Sequence, residues 1–499
     1  MGKITFIKNA SGLNKVGPGK DHYSAMLFFS DTLPSGFSAN ARIKEITDVA
    51  AAETLGIKDD KSDETKATGG NVAITTPGAA GTTVTIIMDG ITLGDYALVS
   101  GDDEDDVATG LRAAINNLTG VHGYSAAGTL HNVALTAPTG KGDSINAGTH
   151  LAFSSTGTGA ATVTQFSGGG DAFFDVIHYH ISEAFRINSG IKLWVGIFSV
   201  PTGAYDFTEL KTIQNFAQGK IKNVSIFMKD EAFDTDHLAA IQLILDDLDA
   251  AYKPISDVLY CADITSITDL TTLEDLTLLT NEKVSSVIGQ DGGNVGAALY
   301  AEKGYSISCI GAALGAVSLA SVNENIGWRK KFNMAAVELE TIAFANGQLF
   351  NSLSDNAIES IDRKNYIFLQ KDPFLPGTFF NDSWTAVSRT NDFGNIEANR
   401  VMDKAIMNVG SKIAPEINGP VNVDETTGKL AIDYVKFLEG KGDEALSEMA
   451  RKKELSGYKT VIDADQNVNQ TSEIDISIVN VPTGVSRNFK IKISFASSI

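Results

Sequence analysis

Four stretches hold residue types that could do chemistry. Gly289-Gln-Asp-Gly-Gly-Asn-Val-Gly296 follows the apolar run Val284 to Ile288 and opens a helix-like stretch. Glycines in that context let backbone N–H groups receive a phosphate at a helix N-terminus. A dinucleotide fingerprint also needs an acidic residue closing the next strand. The following segment, Ser306 to Leu319, is small-residue and helix-like and offers none, so the turn reads as a glycine-rich crossing. His178 and His180 form H-x-H, which on a strand would set both rings on one side for a metal. Phe174, Ile177, Ile181 and Phe185 instead recur at helical spacing, and positions i and i+2 of a helix point to different faces. The run Asp102 to Asp106 has the ligand types of a calcium loop. It stands directly before Val107, Leu111, Ile115 and Leu118, a helical face, where carboxylates favour the positive end of the helix dipole.

Cys261 and Cys309 sit in apolar contexts and read as small hydrophobes. The sequence has no G-x-S-x-G, H-E-x-x-H or C-x-x-C. Gly12 to Lys20 lacks the Gly-Lys-Ser/Thr of a phosphate loop. These residues predict no catalytic centre, cofactor or metal. The competing reading is a cytosolic α/β enzyme with a ligand-binding turn at 289–296.

The chain has 499 residues, a length that suggests about three domains. With 40 Lys+Arg against 61 Asp+Glu, its formal charge is −21, which argues against nucleic acid or an anionic membrane as partner. The apolar fraction of 43% suits a core-forming chain. Two cysteines make no disulfide scaffold and fit a reducing compartment. The N-terminal sequence has no apolar core of a secretory signal. Ala25 to Phe29 is too short to span a bilayer. Ser308 to Val322, with Gly311-x-x-x-Gly315, is also too short and is interrupted by serines. That stretch reads as a small-residue helix packed closely on a sheet, so no membrane insertion is expected.

Three regions differ in composition. Residues 61–170 hold 19 of the 47 glycines, 18 threonines and only four Lys/Arg. Short runs (Val72 to Ile74, Thr83 to Met88, Val133 to Leu135, Thr162 to Phe166) lie between turn residues. This predicts a small β-rich inserted domain, bordered by the charged Asp59 to Lys66 run and Gly168-Gly169-Gly170. Residues 171–350 alternate helical patterns with solid apolar runs: Ile191 to Val200, Val224 to Met228, Val258 to Cys261 and Val284 to Ile288. Helices are expected around Leu210 to Phe216, Leu238 to Leu248 and Leu270 to Leu279. Strands apolar on both faces imply a doubly wound α/β core, formed by 21–60 together with 171–350. Residues 351–499 read as an α+β C-terminal domain. A long helix is expected from Ile396 to Ile413, with Met402, Ile406, Val409 and Ile413 on one face. From 360 onward there are 17 basic and 19 acidic residues, so nearly all the acidity lies earlier.

Both ends carry strand-like arms. Residues 1–20 begin with a short strand-like run, Lys3-Ile-Thr-Phe-Ile7, with Ile4, Phe6 and Ile7 apolar, and continue through the flexible Gly- and Asn-rich Asn9 to Lys20. At the other end, Ile474, Ile476 and Ile478 alternate with polar positions. After Pro482-Thr483-Gly484, Phe489, Ile491, Ile493 and Phe495 do the same. This predicts a two-stranded terminal ribbon. An uncovered strand edge recruits other chains unless it is blunted or hidden, so the arms suggest strand addition between subunits.

The C-terminal half carries Gly377-Thr-Phe-Phe-Asn-Asp382, Thr390-Asn-Asp-Phe393, Asn399-Arg-Val-Met-Asp-Lys-Ala405, Pro420 and Val423-Asp424-x-x-Thr427-Gly428-Lys429-Leu430. Together with the terminal ribbon, these residues resemble the C-terminal domain of contractile tail sheath proteins from bacteriophages and related injection systems. Ile181-Ser-Glu-Ala-Phe-Arg-Ile-Asn188 ahead of Leu193-Trp-Val195 is similar to the helix-to-strand passage of the sheath core. The resemblance covers 1–60 and 171–499, and the 61–170 module is similar to outer-surface insertions of that family.

The resemblance implies a structural protein without an active site. Its subunits would form a homo-oligomer of hexameric rings, stacked as a helical sheath around an inner tail tube protein and bounded by baseplate and tail terminator proteins. The place would be a virion tail assembled in the host bacterial cytoplasm, and contraction would drive the tube through a target envelope. Carried over, Ile4, Phe6 and Ile7 form one exchanging arm and Phe489, Ile491, Ile493 and Phe495 the other, with the Ile474 to Ile478 strand as acceptor. Arg400, Asp403 and Lys404 would lie on a helix facing the tube.

Overall fold

The computed structural model describes residues 21–61, 63–142, 144–146, 148–487 and 490–491. Ile4, Phe6, Ile7, Phe489, Ile493 and Phe495 lie outside the described residues. The chain is mixed α/β with several separate sheets. It divides into two compact units, one of 34–36 and 52–179, the other of the remaining described residues.

The larger unit is built on a six-stranded sheet. Its strands are β1 (Tyr23–Phe29), β2 (Ile43–Ile46), β3 (Lys192–Phe198), β4 (Asn223–Ala232), β5 (Asp257–Asp263) and β6 (Val284–Ser286), in the order β6-β5-β4-β1-β3-β2. All neighbours are parallel except β2, which pairs antiparallel with β3 at one edge. The central strand β1 is the run Ala25 to Phe29, each residue at most 2% exposed. Such solid burial is what a parallel strand needs, because helices cover both of its faces. Helices α2 (Glu209–Phe216) and α3 (Thr235–Ala250) contribute Leu210, Ile213, Leu238 and Ile241 to a core with Leu27, Val224, Ile226 and Tyr260. The opposite face carries α4 (Ile310–Leu319), which packs against β1, β4 and β5.

Helix α4 also packs on α1 (Phe174–Ile187). A Cβ on Gly311 would stand 2.3 Å from the backbone oxygen of His180, and one on Gly315 would stand 2.8 Å from Ile187 Cβ. The G-x-x-x-G spacing therefore serves a close helix–helix crossing as well as the sheet. The expected helix over Leu270 to Leu279 is instead two 3₁₀ turns, Leu270–Thr272 and Leu276–Leu278. Asp269 and Asp275 explain the difference. Their carboxylates accept from the N–H of Thr271 and Thr277, each at 3.0 Å, and such turns compete with helix propagation.

The smaller unit has a four-stranded sheet (Ser125–Ala127, Asn132–Thr136, Asn71–Thr76, Ala160–Thr164) and a three-stranded one (Ile91–Ala97, Thr83–Met88, Leu151–Ser155). Helix Glu104–Asn117 supplies Val107, Leu111 and Ile115 to its own core with Val72, Ile86, Val133 and Phe166. Leu118 of the expected apolar face is 39% exposed, just past the helix end.

The C-terminal part of the larger unit holds α5 (Ile396–Ile413), α6 (Ile432–Arg451), β7 (Leu455–Val461) and β8 (Ser477–Pro482). The strand expected over Ile474 to Ile478 begins only at Ser477. Ile474 and Ile476 precede β8 and pack into a small cluster with Val435, Leu438 and Ile462. β8 pairs antiparallel with β7, from Val461–Ser477 to Leu455–Pro482. This upstream strand is seated by Leu455 and Tyr458 against α5 and α6 residues such as Ala405 and Leu446. Among the described residues no helix is long and apolar enough to cross a membrane.

Candidate functional site

The sites read from sequence resolve first. Asp291 is fully buried, and its carboxylate accepts from the N–H of Gly293 (3.2 Å), Asn294 (3.1 Å) and Gly296 (3.0 Å). The turn at 289–296 therefore spends its helix-terminal N–H groups on the chain's own acid, where a phosphate would otherwise sit. His178 lies 3.2 Å from Glu53. His180, on the same helix, is wholly buried, and burial holds its imidazole down at about 3. Asp103 caps helix Glu104–Asn117 by accepting from Asp105 N and Asp106 N, in a capping box with Asp106. Cys261 and Cys309 are both buried, and burial pushes the Cys261 thiol up to about 12. Among the described residues, no three His, Cys, Asp or Glu side chains gather to hold a metal ion.

Arg400, Asp403 and Lys404 do share one face of α5, as their spacing requires, but that face is buried. Arg400 is 2% and Asp403 5% exposed. Arg400 donates to the backbone oxygens of Ala320 (3.1 Å) and Asp21 (3.3 Å). Asp403 meets Lys283 Nζ at 3.0 Å, and the same ammonium reaches Asp249 at 2.6 Å. Lys404 bridges Asp21 and Glu454, each at 2.8 Å. Asp257, at the start of β5, is fully buried beside this group. Burial pushes its carboxyl up to about 7, with Arg400 opposing and Asp403 reinforcing the rise.

The three residues expected to face a tube are thus engaged within this chain, in an internal network that ties α5 to the core sheet. The apolar face expected of α5 shifts accordingly. Ile406 is 49% exposed, whereas Ile396, Val401 and Ala405 are buried. An amphipathic reading assigns charge to solvent, and here the charges are what is packed inward.

The sequence reading missed a second ionic cluster, around Arg487. Its Nε donates to Asp382 Oδ2 at 2.7 Å, and Nη2 donates to Asp382 Oδ1 at 3.1 Å and Glu397 Oε1 at 3.2 Å. The guanidinium also lies 4.2 Å from the centre of the Trp384 ring, and Arg389 lies 4.4 Å from the same ring. Asn325 Nδ2 donates to Asp382 (2.6 Å), Ser383 Oγ (2.9 Å) and Glu397 (3.2 Å). Burial raises the Glu397 carboxyl above its usual range, and the Ser383 hydroxyl and Arg487 oppose that rise. Asp382 stands in the motif Gly377 to Asp382, the one sequence signal pointing here; Arg487 has none.

The ribbon β7–β8 completes this end of the molecule. It is a two-stranded sheet, so among the described residues neither strand has a partner on its outer side. Val479 is 58% and Val481 51% exposed, and beyond the ribbon Ile491 is 80% exposed.

Three comparisons with known proteins bear on this chain. The family model described as DUF2586, C-terminal domain, matches residues 392–499. No curated protein matches. Among solved structures, an anti-feeding prophage baseplate chain is similar at 11% identity and a TM-score of 0.43, over 64% of this chain and 80% of that one. The contracted state of that baseplate aligns at 11% identity and 0.39, over 65% and 85%. A sheath tail protein from Listeria innocua aligns at 10% identity and 0.38, over 92% and 94%.

Proposed function

We propose that the chain is a structural subunit of a contractile tail sheath, one that polymerises around an inner tube and contracts to drive it through a cell envelope. The observation that carries this reading is the open ribbon. Among the described residues, the outer edges of β7–β8 have no strand partner, and Val479 and Val481 are exposed ahead of the segment that leads to Phe489 in sequence. Free strand edges are templates for another chain. The residues between Gly377 and Leu430 that resemble the sheath C-terminal domain support the same reading. In it, residues 4–7 and 489–495 exchange between neighbours, hexameric rings stack, and baseplate and terminator proteins cap the polymer. The inserted module at 61–170 lies on the outer surface. The enzyme alternative loses its pocket, because Asp291 occupies the turn it relied on.

Electron microscopy of the purified chain tests the proposal. Hollow helical tubes of uniform diameter are expected. A chain that stays monomeric at high concentration, with or without a tube protein, would sink it.

A further inference from the structure

The Arg487 cluster has the construction of a binding site. Asp382, Ser383, Trp384 and Glu397 are each at most 8% exposed and converge from a loop and the first turn of α5, and Asn325 orients both carboxylates from a third segment. Two buried carboxylates that converge need a cation between them, because leaving them unpaired is costly. The cation supplied is a guanidinium, held by two hydrogen bonds to Asp382, a third to Glu397 and a ring face. A planar fork satisfies all four; a lysine ammonium, a point charge, cannot.

The position of Arg487 in the chain gives the site its meaning. β8 ends at Pro482, and residues 483–487 have no regular structure. That short span is held at both ends, by Thr483 Oγ1 donating to the Lys453 carbonyl at 2.7 Å and by Arg487 in its socket. The partners of Arg487 lie 105 and 90 residues away in sequence. A loop fixed at one end only would let the following residues sweep a wide volume. Fixed at both ends, it launches them from one point.

We propose that Arg487 and the socket of Asp382, Glu397 and Trp384 form a latch. The latch sets where the C-terminal arm leaves its subunit and so pre-organises that arm for a second copy of this chain. The inference rests on the sheath reading for the identity of the partner, but not for the latch itself. Pre-organisation raises affinity by lowering the ordering cost of binding. Loss of the latch therefore weakens assembly without removing any residue of the arm.

The test uses the full chain and its Arg487→Lys variant, which keeps a tryptic site at 487. Circular dichroism first checks that both are folded. Trypsin cleavage after 487, normalised to the same bond in the urea-unfolded chain, should be at least tenfold faster in R487K. Amide exchange over 483–487 should rise in parallel. The concentration at which light scattering reports assembly should rise about tenfold. Unchanged cleavage and exchange would overturn the latch. Faster cleavage with an unchanged assembly threshold would overturn its positioning role. A wild-type chain that never assembles would remove the sheath reading, and the latch would then stand or fall on cleavage and exchange alone.

Discussion

The smaller unit and the C-terminal part of the larger one hold several of their carboxylates in different ways. In the smaller unit, backbone N–H groups hold three of them. Glu64 accepts from Lys141 N (3.1 Å) and Gly142 N (2.8 Å), Asp63 from Phe173 N (2.7 Å) and Phe174 N (3.1 Å), and Asp103 caps a helix. Residues 61–170 contain four Lys/Arg in all, so few cations are at hand. In the C-terminal part of the larger unit, buried acids meet side-chain cations instead: Asp403 with Lys283, Glu454 with Lys404, Asp382 and Glu397 with Arg487. A backbone donor survives any substitution except proline, whereas a side-chain cation disappears with one mutation. The ionic arrangement also joins segments distant in sequence, such as Lys404 and Asp21, 383 residues apart. The first region is tied together by its own main chain, the second by exchangeable charges.

The sharpest way to expose that contrast is to remove a cation. Lys283→Met strands Asp403, whose side chain is 7% exposed, and its second acid Asp249. A destabilisation of about 3–5 kcal/mol is expected from urea unfolding of the larger unit, with the transition of the smaller unit unmoved. A loss below about 1 kcal/mol would mean that the network contributes no more than a surface pair.

Titration gives a second handle. The Asp257 carboxyl lies at about 7 when folded, against an ordinary 3.8, so between those values the folded chain holds a proton that the unfolded chain releases. Its contribution is therefore fully present at acid pH and is lost as pH rises toward 7. Asp257→Asn should remove that slope. The variant should gain on the order of 3 kcal/mol relative to wild type between pH 4 and pH 8. Parallel pH profiles for the two proteins would rule the effect out.

Smaller effects follow from packing and capping. Gly311→Ala brings a Cβ within 2.3 Å of a backbone oxygen that cannot swing away and should cost about 1–3 kcal/mol by thermal unfolding. Asp103→Ala should cost about 1 kcal/mol, confined to amide exchange in helix Glu104–Asn117. Equal losses at the Lys283 and Asp103 positions would erase the difference between the regions.

The sequence reveals elements better than it reveals faces. The bounds of α5, Ile396 to Ile413, follow from periodicity. Its buried side does not, because burying Arg400, Asp403 and Lys404 depends on Lys283, Asp21 and Glu454, whose proximity no spacing encodes. β1 lies in an apolar run too short to span a bilayer and with no helix pattern beside it to mark it as a central strand. Its neighbours β3 and β4 start about 170 and 200 residues later, so local pattern cannot show that it is the centre of the sheet. Leu270 to Leu279 has helical spacing, but two aspartates close local turns first. Arg487 was invisible for the reason that makes it informative: every group it binds is about a hundred residues away.

The central claim, that this chain assembles through the segment beyond its open ribbon, has one direct measurement. Sedimentation velocity should compare the full chain with a chain ending at Arg487. The prediction is large assemblies for the first and a folded monomer, with the same circular dichroism, for the second. Identical sedimentation of the two, whether both assemble or neither does, would contradict it.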